Sequence, residues 1–314
     1  MSDTEIRVNK ALTNYSVAYR NGELIADLAL PRVSETSPQP FYYKWDKDAF
    51  RLDNDQRAPG TKSNRASFGV KKQTEFNLTE HTLHDLIPIE TINAAKDADQ
   101  TWDIKQDYVQ MLIDKMLNRY EYDTAATLFN TSTFSGYTSA LSGNNRWDVY
   151  GTSDPLADAE TAKELVRAAV GIYPNTAIMG ATVFSKLRNH PDVLARIVGG
   201  STSATPAQVT RENLAILLGV DKVLVGSAIY NSAPEGATDS MADIWGKFCL
   251  FAYINPRPSK LSASLGYTFY DPNFEGVREK YKDEERAQWV EVSKKYIGKL
   301  TSVASAYLYS TVIS

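Results

Sequence analysis

The sequence is short of the groups that do chemistry. Its 314 residues include one cysteine, Cys249, and three histidines, His81, His84 and His190. A single cysteine excludes an internal disulfide, and its place in the apolar run IWGKFCLFAYI points to burial rather than thiol reactivity. No run of about 18 apolar residues occurs, so no membrane-spanning helix is expected. The opening MSDTEIRVNK lacks the apolar stretch of a secretory signal, and a cytoplasm-like compartment is the expectation. Neither sign of charge dominates: 34 basic residues stand against 38 acidic ones, a net charge of −4. Composition therefore supplies no basic face for gripping phosphates. GxxxxGK[ST], GxGxxG and GxSxG are all missing, which leaves phosphate cradling and a nucleophile elbow without support. His81 and His84, three apart in TEHTLHDL, would share one face of a helix, yet no further ligands accompany them. The run from Asp53 to Arg57 starts like a calcium loop, but Arg57 and Ala58 stand where a ligand and the required Gly belong. The expectation is no catalytic residue, no metal and no cofactor.

What the chain has instead is length and reach. From Asp97 to Phe129, large apolar residues return at Trp102, Val109, Leu112, Ile113, Met116, Leu117 and Tyr120, the spacing of a helix with one apolar stripe. Asp99 and Thr101 are candidate caps, and at about 1.5 Å per residue the helix spans roughly 45 Å. Before it, Phe41, Tyr43 and Trp45 alternate with Tyr42, Lys44 and Asp46, and a second alternating run covers Phe68, Val70, Lys72, Thr74 and Phe76. The polar stretch between them holds Pro59 and Gly60, so the two runs make a long two-stranded arm with a polar tip. An isolated hairpin is at best marginally stable in water, so this one needs a surface, its own or a neighbour's.

Residues 4–21 lack a clean period and GELIADLALPRV adds only a short apolar run closed by Pro31, so the whole reads as an N-terminal arm with little core of its own. After the long helix, the Ser-, Thr- and Gly-rich stretch 131–156 reads as a surface connection. A helix is expected from Asp158 to Ala169, a strand over 176–179, helices from Thr182 and after Pro191, and a helix led by Pro206. DKVLVGSAIYN reads as one strand, which makes 158–255 an α/β unit. Residues 261–270 alternate as a strand with one wet face. VREKYKDEER reads as a solvated turn or helix whose charges cancel, or as a salt-bridged contact to another subunit. The last two runs, QWVEVSKKYIGKL and SVASAYLYSTVI, complete the sheet.

The order of these elements, with the RAPGT turn (Arg57 to Thr61), PNTAIMGATVFSKLRNHPDV, GVDKVLVGSAIYNSA and IWGKFCLFAYINP, resembles the major capsid protein family of tailed bacteriophages, whose fold also builds encapsulin shells and the herpesvirus capsid floor. The resemblance implies an α+β fold divided into an N-terminal arm (1–39), an extended hairpin loop (40–77), a peripheral domain with a spine helix (78–157, helix about 97–129), an axial domain (158–258) and C-terminal strands (259–314). It implies a subunit of an icosahedral head shell around double-stranded DNA, present in many copies as pentamers and hexamers. Its partners would include a scaffolding protein, a portal and a decoration protein, without a membrane. Its place would be the virion, after assembly in the host cytoplasm. Candidate contacts between subunits are Tyr43, Trp45, Arg57, Lys62 and Arg65 on the loop, and Arg278, Lys282 and Glu284 in the tail. Lys44, Lys47 and Lys62 lie on the loop that in some members forms Lys–Asn cross-links, but no partner Asn is identifiable. The alternatives are an encapsulin-like compartment shell and, from a different class, a cytoplasmic α/β enzyme with a hairpin flap.

Overall fold

The computed structural model describes residues 7–8, 24–37, 40–45, 52, 55–57, 59–64, 70–72, 76–98, 104–198, 209–259 and 264–314. In its first third, β1 (Arg7–Val8) precedes a short helix α1 (Ala26–Ala29) and β2 (Arg32–Ser34). The hairpin strands β3 (Tyr43–Trp45) and β4 (Val70–Lys72) pair antiparallel, and β5 (Thr79–Pro88) runs straight into α2 (Ile89–Ala98). The longest helix, α3 (Ile104–Leu128), has 25 residues, a rod of about 37 Å. Of the helix expected from Asp97, Asp97 lies in α2 and Ile104 onward in α3, while Asp99, Thr101 and Trp102 lie outside the described residues.

The second half supplies β6 (Thr138–Ala140), α4 (Pro155–Val170), β7 (Thr176–Gly180), α5 (Ala181–Arg188), α6 (Pro191–Val198), α7 (Arg211–Leu218) and β8 (Lys222–Gly226). A small hairpin of β9 (Ile229–Asn231) and β10 (Met241–Asp243) and then β11 (Cys249–Ala252), β12 (Gly266–Tyr270), β13 (Gly276–Lys282), β14 (Ala287–Leu300) and β15 (Ala306–Ser310) follow. Asp154, not Asp158, opens α4, because its carboxylate accepts the N–H groups of Leu156 and Ala157 and Pro155 fits the first helical position. Likewise Thr210 caps α7, so this helix starts at Arg211 rather than at Pro206. The run expected as one strand, 221–231, splits into β8 and β9.

Two sheets organise these elements. In the first, β14 is shared: β5 pairs along 287–296 on one edge, while β13 (287–293) and β12 (296–300) divide the other. β1 and β2 add to β13 and β12. The apolar stripe of α3 lies on this sheet, with Val109, Leu112, Ile113 and Met116 against Ile87, Val277, Val290 and Val292. In the second sheet the order is β6-β15-β11-β7-β8, with β7 and β8 parallel and the connection between them made by α5, α6 and α7. Its central strands are apolar on both faces because both are covered. Ala177, Met179, Cys249 and Phe251 face the cluster built by α4 to α7, and Ile178, Leu250 and Leu308 face one containing α1 and the end of α3.

Five readings of the sequence are corrected by this packing. The segment 24–35 is no loose arm: Ile25, Ala26, Ala29 and Leu30 are buried in the second core. The stretch 131–156 is tied down by Phe134, Leu141 and Trp147, all buried, and it contributes β6. β12 has no wet face, since Thr268 and Ser264 are as buried as Tyr267 and Phe269. VREKYKDEER is a strand and its turn, and QWVEVSKKYIGKL and SVASAYLYSTVI serve different sheets, β14 the first and β15 the second.

Candidate assembly surfaces

Whatever surface the chain offers is held in place by an internal joint. Glu121 on α3 is fully buried, and Oε1 accepts the Ile25 N–H (2.9 Å) and the Trp245 Nε1–H (2.7 Å) while Oε2 accepts the Ala26 N–H (2.9 Å). Two of the orphan N–H groups at the start of α1 are thus satisfied from another helix. Burial raises the carboxyl pKa above the usual carboxylate range, against the opposing pull of its hydrogen bonds. One residue earlier, the Tyr120 hydroxyl donates to Asp27 Oδ1 at 3.0 Å and lies 3.0 Å from Thr268 Oγ1, which is why the polar side of β12 is buried.

Among the described residues, the hairpin is anchored at its root. Phe76 and Tyr42 pack on Phe269, with ring centroids 4.9 Å and 6.4 Å away, and the Phe76 N–H bonds to the Pro40 carbonyl. Farther out, every described residue from 52 to 64 is exposed, including Leu52 at 98%. Of the loop candidates, Tyr43 and Trp45 stand opposite Lys72 and Val70 in the two-stranded ladder. Arg57 and Lys62 are exposed near the tip turn at Pro59 and Gly60, and Arg65 lies outside the described residues. Gly60, at φ +81°, takes the left-handed conformation that the turn needs.

The tail candidates fall on one hairpin. Arg278 on β13 pairs with Glu291 on β14 (3.5 Å), Lys282 with Glu285 (3.4 Å), and Glu284 is exposed in the turn between the strands. Sequence reasoning missed Lys280 in the same row of cations, because a run of mixed charge shows no face until its strand period is known.

One arrangement looks catalytic. His190 Nε2 lies 3.0 Å from Ser153 Oγ, and Asp192 Oδ2 lies 3.7 Å from Nδ1. Yet Nδ1 accepts the Asp192 N–H (3.3 Å), so the ring proton is on Nε2 and is donated to Ser153, whose own proton goes to the Val149 carbonyl (2.9 Å). A base already carrying its proton cannot activate the serine. The ring is fully buried, and desolvation lowers its pKa. Burial likewise pushes the Cys249 thiol far up. His81 and His84 lie on a strand, not a helix, and point to opposite faces: His81 stacks on Tyr296 (4.1 Å) and His84 sits beside Trp289 (5.8 Å). A cleft of about 420 Å³ between α3 and β5 holds Glu80, His81 and Arg119, but Arg119 is tied to Asp123 at 3.0 Å. Among the described residues no group of three or more His, Cys, Asp or Glu is placed to hold a metal, and no helix is long and apolar enough to cross a membrane.

Known proteins resemble the chain along most of its length. The sequence model of the family described as Phage major capsid protein E matches residues 108–227. The Major capsid protein of Burkholderia phage BcepMu is 27% identical over 267 residues, which is 83% of this chain and 82% of that protein. Among solved structures, a phage-related protein from Bordetella bronchiseptica RB50 superposes with a TM-score of 0.75 at 25% identity, covering 98% of both chains. The capsid protein of cyanophage P-SCSP1u shares the fold, with a TM-score of 0.57 at 12% identity over 99% of this chain and 91% of its own.

Proposed function

We infer that this chain belongs to the major capsid protein family of tailed bacteriophages and builds the head shell of a virion. The observation that carries this is the extent of the match to a protein named as a major capsid protein, over 83% of the chain rather than over a motif. The chain is a structural subunit and not an enzyme, and it acts by associating with copies of itself.

The finer organisation follows from what each element can do. The unit formed by α4 to α7 and the second sheet would gather around the five- and six-fold centres as an axial domain, over about 158–258. The first sheet with α3 would form the peripheral domain, within 78–157 and 259–314, and the arm would occupy 1–39. The hairpin, 40–77, would lie across a neighbouring subunit, because its root is fixed on Phe269 while Leu52 and the tip residues Arg57 and Lys62 face solvent. Contacts that are individually weak hold when many close in one shell, since release of a copy requires all of its contacts to break together. Pentamers and hexamers of one chain require an adjustable element between rigid ones, a role the hairpin fits. Packaged double-stranded DNA would lie near the inner wall, and a portal, a scaffolding protein and a decoration protein would be its protein partners in a host cytoplasm.

Light scattering and negative-stain microscopy of the full chain, expressed alone and with its scaffold, test the reading. Particles or capsomer rings are expected. A monomer or dimer at every salt and protein concentration would contradict it.

A further inference from the structure

The β13–β14 hairpin carries opposite charges on its shaft and at its tip. One face of the shaft is buried under α3 by Val277, Val290 and Val292, and Glu279 on that side is met by Lys105. The residues between these alternate to the other face, as their contacts show. Arg278 pairs with Glu291, directly opposite it, and Arg278 and Lys295 both sit over the Phe274 ring, at 5.7 and 5.4 Å. Lys280 shares this face, opposite Trp289, and Lys282 ends the row. Arg278, Lys280, Lys282 and Lys295 are therefore collected on a sheet face that Glu291 and Glu80 offset only in part, in a chain whose net charge is −4. The face is open enough to be reached, since the side chains of Arg278 and Lys282 are each 37% exposed.

The tip is the complement. Asp283, Glu284 and Glu285 are exposed in the turn, and among the described residues only Glu285 of the three has an ion partner, Lys282. The side chains of Lys280, Asp283 and Glu284 make no ion pair among the described residues. β13 is held in register from Gly276 to Lys282, with Asp283 and Glu284 following in the turn, and in one copy these carboxylates leave Lys280 unpaired. Charges that match but do not touch in one molecule can touch between two.

We propose that this sheet face docks the acidic turn of a second copy, with Glu284 of one subunit seated on Lys280 of the next and Asp283 on the neighbouring Arg278. The proposal rests on the reading of the chain as a shell subunit. A nucleic acid fits less well, since a backbone of phosphates laid along the face would meet Glu291 and Glu80, whereas a turn bearing two carboxylates needs only the neighbouring cations. The contact is head-to-tail, so repetition with the right rotation closes a ring of copies.

A charge swap in the full chain tests it. At low salt, Lys280→Glu and Glu284→Lys should each slow particle formation by about tenfold, because a mismatched charge acts on association rate and its salt dependence. The difference should vanish near 1 M salt, and the thermal midpoints of both variants should match wild type. The double variant Lys280→Glu with Glu284→Lys should assemble like wild type, since the 280–284 contact between copies is then again a pair of opposite sign. Shells forming at wild-type rate from both single variants would overturn the docking and leave the shell reading intact. A double variant as slow as the singles, or single variants that assemble normally but lose salt-sensitive DNA binding, would also overturn it. Wild-type chain forming no particles would overturn both.

Discussion

Trp245 donates its indole N–H to the Glu121 carboxylate at 2.7 Å, a polar tie between the long helix and the segment leading into β11 of the second sheet. The same carboxylate holds the first turn of α1, so three parts of the chain distant in sequence meet on two oxygens. Removing it leaves three donors without a partner in a dry site. Glu121→Ala is expected to cost about 3 kcal/mol or more, measured by urea unfolding. Glu121→Gln should cost less, because its amide oxygen still serves two donors while its NH₂ faces the Ala26 N–H. Equal stability of Glu121→Ala and wild type would contradict this role.

Gly226 lies under the same tryptophan. A Cβ at this position would stand 2.0 Å from Trp245 Cδ1, inside any allowed contact. Gly226→Ala must displace the fully buried ring and is expected to cost more than the 1–3 kcal/mol typical of overpacking. The drop in thermal midpoint checks this, and a midpoint within a degree of wild type would refute the crowding.

His190 gives the chain a pH dependence of known sign. Its folded pKa lies below the ordinary value of 6.5 because burial disfavours the imidazolium, with Asp192 and Asp154 opposing weakly. The unfolded chain therefore binds the proton more readily, and stability rises with pH in this range. The contribution is fully present above pH 6.5 and is lost as pH falls from there through the folded pKa. Urea titrations should show His190→Gln losing less stability than wild type between pH 7 and 5. Parallel losses would show that His190 is not the titrating group.

The hairpin predictions separate fold from assembly. Leu52→Ser should leave the melting of the isolated subunit unchanged, as surface changes do within about 0.5 kcal/mol, and lower the yield of particles. Phe76→Ala should cost about 3 kcal/mol through lost packing on Phe269. Sedimentation of the two variants distinguishes the effects, and a Leu52→Ser variant assembling at full yield would remove the loop tip from the contact.

How much of this was legible beforehand depended on which residues declare their surroundings. The apolar stripe of α3 and the strands over 176–179 and 249–252 show in the sequence because burial on one or both faces leaves a period or a run. Where α3 begins is not marked by its sequence, since Asp97 lies in α2 and the candidate caps Asp99 and Thr101 lie outside the described residues. β5 went unread as a strand because TEHTLHDL is polar, its outer side facing solvent and its pairing supplied by β14, some 200 residues later. Ser- and Gly-rich composition hid Trp147, which is buried and donates to Asp158 Oδ2 at 2.8 Å. In β13 the charges masked the strand, for Arg278 and Glu279 find their partners in Glu291 and Lys105 only once the chain is folded. β12 looked half-wet because Tyr120, which reaches Thr268, and Phe76, which covers Phe269, come from elements far away in sequence.

Cryo-microscopy of particles formed by the full chain tests the central claim most directly. The expected result is a closed shell in which the hairpin, residues 40–77, leaves its root at Phe269 and lies across the neighbouring subunit. A solitary molecule or small oligomer with the same hairpin folded onto its own body would contradict it.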